Sequence, residues 1–124
     1  MEGKSLKLGN LKIYNESFSL SNHVWKIINQ HNYLIKQTIG PQFIRSVDSI
    51  SANIAEGFGR STKKEKIRFY IYARGSVYES LDWLEKCYRR DIINKSDYVK
   101  MYLSLMSLPI RLNAIIRTTK QLKY

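Results

Sequence analysis

The chain of 124 residues has one cysteine, two prolines and ten acidic residues, and no unbroken apolar run near the ~18 residues that span a bilayer. Cys87, alone, can form no internal disulfide and no paired-cysteine metal knuckle, which fits a reducing compartment. Met1 to Asn10 carries lysines but no apolar core or small-residue cleavage site after them, so no secretory leader, no membrane partner and a cytoplasmic location are expected. The shortage of acids against 21 basic residues leaves a net charge of +11, enough to attract a polyanion, and RNA or DNA is the expected partner. The excess lies in residues 94–124, with six bases to one acid, in 61–93, with eight to five, and in the N-terminal segment, while 37–60 balances.

An apolar share of 44% with 15 aromatic residues, nine of them tyrosine, suits one folded domain over residues 1–124. No stretch alternates apolar and polar residues long enough for a strand. Spacings of three and four instead predict four helices, roughly 11–31, 39–57, 63–92 and 97–122. In the first, Leu11, Tyr14, Phe18, Trp25 and Ile28 form one row, with Leu20, Val24 and Ile27 beside it. Gly40-Pro41 reads as the start of the second, whose face is Phe43, Val47, Ile50 and Ile54; it should stop at or just after Gly57, in a left-handed conformation. Thr62 and Glu65 make a capping box for the third, which carries Ile67, Ile71, Arg74, Tyr78, Leu81, Glu85 and Tyr88 on one face and a second apolar row, Tyr70, Val77, Leu81 and Leu84, beside it. Ser96 is the expected N-cap of the fourth, which Pro109 should bend without dividing it. The fold class is all-α, an antiparallel up-and-down four-helix bundle. Its apolar stripes are too broad for one such core, and self-association is expected.

The stretch SISANIAEGFGRS, residues 49–61, raises the question of a phosphate-binding loop, because Gly59-Arg60-Ser61-Thr62 precedes a helix. A P-loop follows a strand, needs a further glycine and ends in lysine, none of which this stretch supplies. Ser49, Ser51, Ala52 and Ala55 read instead as a close-packing surface, with the glycines turning the chain. Glu56, at the unfavourable end of a helix dipole, calls for a partner, and Arg60, Arg74 or the amides opening the third helix are candidates.

Arg45, Asn53, Glu56, Arg74, Ser76 and Glu79 are polar groups that pair with one another in helical bundles more often than they catalyse. Ser49 and Ser76 have no histidine within helical reach to act as base. His23 and His31 stand about 12 Å apart on a helix, too far to share a metal. No catalytic residue, metal or cofactor is expected. Lys63, Lys64, Lys66 and Arg68 crowd the start of the third helix, where dipole and cation repel, and suggest an external anion. Arg60 beside them, Arg89 and Arg90 at the other end of that helix, and Arg111, Arg117, Lys120 and Lys123 on the last helix complete the candidate nucleic-acid-binding set.

Residues 42–84, QFIRSVDSISANIAEGFGRSTKKEKIRFYIYARGSVYESLDWL, resemble the core signature of the four-helix bundle proteins encoded in intervening sequences of bacterial large-subunit rRNA genes. That family also includes relatives of the accessory protein of diversity-generating retroelements. Gln42, Arg45, Ser49, Ile50, Asn53, Ile54, Ala55, Glu56, Gly57, Arg60, Ala73, Gly75, Ser76, Glu79 and Leu81 carry the match, whereas Ser46 and Asp48 depart from it. The resemblance implies a bundle assembled as a homopentameric ring without enzymatic activity. For the retroelement branch it implies nucleic-acid binding and a reverse transcriptase as partner. It makes Arg45, Ser49, Asn53, Glu56, Gly57, Gly75, Ser76 and Glu79 the structural motif. The expected function is a non-enzymatic accessory protein that contacts phosphate backbones without base specificity; a scaffold docking a protein partner is the alternative.

Overall fold

The computed structural model describes residues 7–123. After a single 3-10 turn, Leu8–Asn10, come α1 (Lys12–Asn29), α2 (Tyr33–Gln37), α3 (Ile39–Gly59), α4 (Lys63–Arg89) and α5 (Lys95–Lys120). Among the described residues there is no strand. The four long helices form an antiparallel bundle in which α3 packs on α1 and α4, and α5 packs on α4 and α1. Short connections force that arrangement, since a helix that turns back within a few residues meets its predecessor antiparallel. One end gathers the start of α1, the α3–α4 turn and the end of α5; the other gathers α2 and the α4–α5 turn.

The core is built from Val24 and Ile28 of α1, Phe43, Val47, Ile50 and Ile54 of α3, Tyr70, Val77 and Leu84 of α4, and Met101, Leu105, Leu108 and Leu112 of α5. On α1, Leu20 and Val24 of the row expected to flank the face point inward together with Ile28 of the main row, while Phe18 and Trp25 are exposed and Ile27 is half-buried. Ser17 and Ser21 explain the rotation: both are buried, and the Ser21 hydroxyl donates to the Val47 carbonyl at 3.2 Å, drawing α1 against α3. On α4, likewise, Tyr70, Ala73, Val77, Ser80 and Leu84 point inward and Ile71 and Tyr78 outward. By length and composition α5 could cross a membrane, but a third of its most apolar window is buried in the bundle.

Several ends differ from the sequence expectation. Residues 32–38 hold the short α2, because the Asn32 side chain accepts from the Ile35 amide and starts a new turn. α3 runs on to Gly59, and no glycine has positive φ among the described residues. Gly57 is needed for room: a Cβ there would lie 2.7 Å from the Tyr70 ring. Gly40 is similar, with a Cβ 2.7 Å from the Ile35 carbonyl oxygen. Thr62 caps α4 by accepting from the Glu65 amide, but the Glu65 carboxylate turns to Arg60 and Arg68, leaving half a capping box. Asn94, not Ser96, caps α5, accepting from the Asp97 amide at 2.8 Å. α5 is continuous through Pro109. α4 ends in a Schellman motif, with the Ile92 amide donating to the Cys87 carbonyl, the Asp91 amide to that of Tyr88, and Asp91 left-handed at φ 58.

Candidate nucleic-acid interface

The bundle topology decides which of the candidate cations meet. The first turn of α4 and the last turn of α5 lie side by side, with the Lys63 ammonium donating to the Lys120 carbonyl oxygen at 3.3 Å. Lys64, Arg117 and Lys123 are exposed at this same end. Lys12 joins them, because the start of α1 sits here, Leu11 lining an apolar hollow of about 290 Å³ with Phe58, Thr118 and Leu122. Lys12 had no local signal in the sequence; only the folding of α1 onto α5 puts it there.

Part of the predicted cluster is held internally. Arg60 bonds the Glu56 carboxylate at 2.6 Å and that of Glu65 at 3.2 Å, and its guanidinium lies over the Phe69 ring. Glu56 thus has the partner that its place in the helix demands. The Arg60 Nε is buried without a hydrogen-bond partner among the described residues. The Lys66 ammonium donates to the Phe58 carbonyl at 2.8 Å, capping the last turn of α3, where cation and dipole agree. Arg68 pairs with Glu65 at 3.3 Å. The acids of this end are therefore neutralised by arginines, and the outward charge is carried chiefly by lysines.

The remaining candidates are elsewhere. Arg111 pairs with Glu16 across the α1–α5 groove, a partner ninety-odd residues distant that sequence spacing could not reveal. Arg89 and Arg90 stand at the opposite end, a helix of 27 residues or about 40 Å away. Arg89 bonds Glu85 at 2.8 Å, and Arg90 lines a groove of about 700 Å³ with Leu34, Ile39, Trp83 and Lys86. One contiguous patch therefore excludes Arg89, Arg90 and Arg111.

The motif residues make local bonds. Arg45 donates to Gln42, Ser49 to the Arg45 carbonyl, Asn53 to the Ser49 carbonyl, and Trp83 to Glu79. Arg74 donates to Asn113 at 2.6 Å, tying α4 to α5. Asp48 is exposed, so its departure from the family pattern disturbs no packing, and Ser46 is accommodated by hydrogen bonds to Phe43 and Ser80. Gly75 is exposed, with no atom within 4 Å of a built Cβ. Cys87 is buried, which pushes its thiol up to about 11, outside the range of a reactive thiolate. Among the described residues no three His, Cys, Asp or Glu side chains converge as a metal site.

The molecule is thus a basic antiparallel four-helix bundle with one strongly cationic end. Residues 9–114 match the family described as 23S rRNA-intervening sequence protein, and the chain belongs to that family. A crystal structure of a protein of unknown function from the S23 ribosomal protein family of Bacteroides thetaiotaomicron VPI-5482 has a TM-score of 0.75 and 21% identity, covering 85% of this chain and 95% of that one. It shares the fold. No curated protein sequence matches the chain.

Proposed function

We propose that the protein is a non-enzymatic, self-associating accessory protein that binds RNA or DNA through phosphate backbones, without reading bases. The observation that carries this reading is the cationic end, where Lys12, Lys64, Arg117, Lys120 and Lys123 converge while the nearby carboxylates are paired with arginines. Flexible ammonium groups on an exposed surface suit phosphates, whose binding releases counterions and falls with salt. Membership of a family encoded within rRNA genes supports the choice of nucleic acid as the polyanion. Repetition of the patch around a ring, a homopentamer in the family resemblance, would add weak contacts into avidity.

The test is fluorescence anisotropy with a labelled RNA hairpin and a DNA duplex across a salt series. The expected result is comparable binding of both, with each lost phosphate contact flattening log K against log salt by about 0.9. The combined Lys64→Glu, Lys120→Glu and Lys123→Glu variant should lose most of the affinity; full affinity in that folded variant would sink the reading.

A second reading, a scaffold that docks a reverse transcriptase or another protein, is favoured by Tyr33 and Leu34, which stand largely exposed at the other end beside the 700 Å³ groove. Recovery of a protein partner after nuclease treatment, lost on Leu34→Asp, would support it.

A further inference from the structure

An apolar hollow is out of place on a surface that meets phosphates alone, yet the cationic end has one. Leu11, Phe58, Tyr70, Ile115 and Leu122 give it apolar walls, and its volume is about 290 Å³. Four cations stand next in the chain to a lining residue: Lys12 follows Leu11, Arg117 precedes Thr118, Lys120 follows Thr119 and Lys123 follows Leu122. Successive side chains point in different directions, so these four, all exposed, ring the mouth while their neighbours form the wall.

An occupant matched to this place carries anions around an apolar body. A hollow of about 290 Å³ is near the lower limit of small-molecule sites, room for one flat ring system rather than a long acyl chain. Phe58, half-buried, offers an aromatic wall. The two hydroxyls that line the hollow are spent as donors, Thr118 to the Ala114 carbonyl at 2.9 Å and Thr119 to that of Ile115 at 2.8 Å. What they have left is lone pairs, which suit amino and imide N–H groups and repel a carboxylate. The one charge in the wall, the Lys66 ammonium, is turned to the Phe58 carbonyl.

We propose that the hollow receives one unpaired nucleobase of a single strand, lying against Phe58, while the flanking phosphates meet Lys12, Arg117, Lys120 and Lys123. Bases paired in a duplex or a hairpin stem hide their faces in the stack, so those forms reach the cations alone. A base free to swing out adds a stacking contact to the same phosphate contacts. Every base has such a face, so the contact favours single strands without choosing among sequences. The proposal rests on the phosphate-binding reading and narrows the class of nucleic acid held at that end.

Anisotropy on the full chain tests it with two labelled probes, a short thymidine strand and a strand of the same length whose sugars carry no bases. At equal salt the thymidine strand should bind about 10-fold tighter. Phe58→Leu, with unchanged circular dichroism, should remove most of that difference. In the methyl NMR spectrum of the wild type, Ile115 and Leu122 should shift with the thymidine strand and not with the baseless one. A wild type that binds neither strand overturns the phosphate reading and this one together. Equal affinity for the two strands, or a preference that Phe58→Leu retains, overturns the base site and leaves phosphate binding standing. Methyls that shift with oleate and not with the thymidine strand assign the hollow to an acyl chain and overturn the base site as well.

Discussion

The Ser80 hydroxyl lies 3.1 Å from that of Ser46 in the buried seam between α3 and α4. Each also reaches a carbonyl of its own helix, Ser80 to Ser76 and Ser46 to Phe43, so neither depends on the other for satisfaction. Ser46→Ala should therefore cost no more than about 1 kcal/mol. Ser80→Val adds volume in this fully buried seam and should cost about 1–3 kcal/mol. Urea midpoints of the two variants decide it, and equal losses would refute the distinction.

Three glycines of α3 should respond differently to alanine. Gly57→Ala drives a methyl into the Tyr70 ring and Gly40→Ala into the Ile35 carbonyl, each losing about 1–3 kcal/mol. Gly59→Ala meets no atom within 4 Å and should be neutral or slightly stabilising. Thermal midpoints measured side by side check the order, with Gly40→Ala expected lowest because backbone cannot move aside as a ring can.

Asp91 holds the left-handed residue that ends α4. That conformation strains any residue with a Cβ by about 1–2 kcal/mol, less for Asp, and Gly adopts it freely. Asp91→Gly should raise stability by up to about 1 kcal/mol, and Asp91→Val should lower it; a destabilised glycine variant would mean that the carboxylate does more than occupy the turn.

Tyr98 donates to Glu85 at 2.7 Å, and Arg89 bonds the other carboxylate oxygen. The tyrosine hydrogen bond first, and Arg89 second, hold the Glu85 carboxyl below its ordinary 4.5, while the bond to Glu85 holds the Tyr98 phenol above 10.0. Glu85, lowered in the folded chain, contributes stability fully above the unfolded value and loses it as pH falls through the lowered one. Tyr98, raised, contributes below its unfolded value and loses it as pH rises through the raised one. Carboxyl NMR titration of Tyr98→Phe should find Glu85 moved upward; an unmoved Glu85 would mean that the bond is absent in solution.

The helices were legible because their apolar residues recur at three and four, and because Thr62 caps α4 as its hydroxyl implies. Which row of α1 and α4 faced inward was not legible, since Phe18, Trp25, Ile71 and Tyr78 are as apolar as the residues that won. Small serines decided it, by permitting the closer approach. Glu56 with Arg60 could be read from a spacing of four across the end of α3. Glu16 with Arg111, and Lys12 beside α5, could not, because only the bundle brings those segments together.

The division of labour between the two kinds of cation has a consequence for what the charged end can distinguish. At this end Arg60 and Arg68 each face a carboxylate, and their planar forks demand oxygens at fixed places, while Arg117 is the one candidate arginine left exposed with no carboxylate facing it among the described residues. Lys64, Lys120 and Lys123 are left toward solvent, each a hydrated point charge on a long, freely turning stem. Under the proposed backbone binding, lysines so placed would follow phosphates at A-form and B-form spacing alike, and the same looseness would let a strand shift along the surface without first letting go.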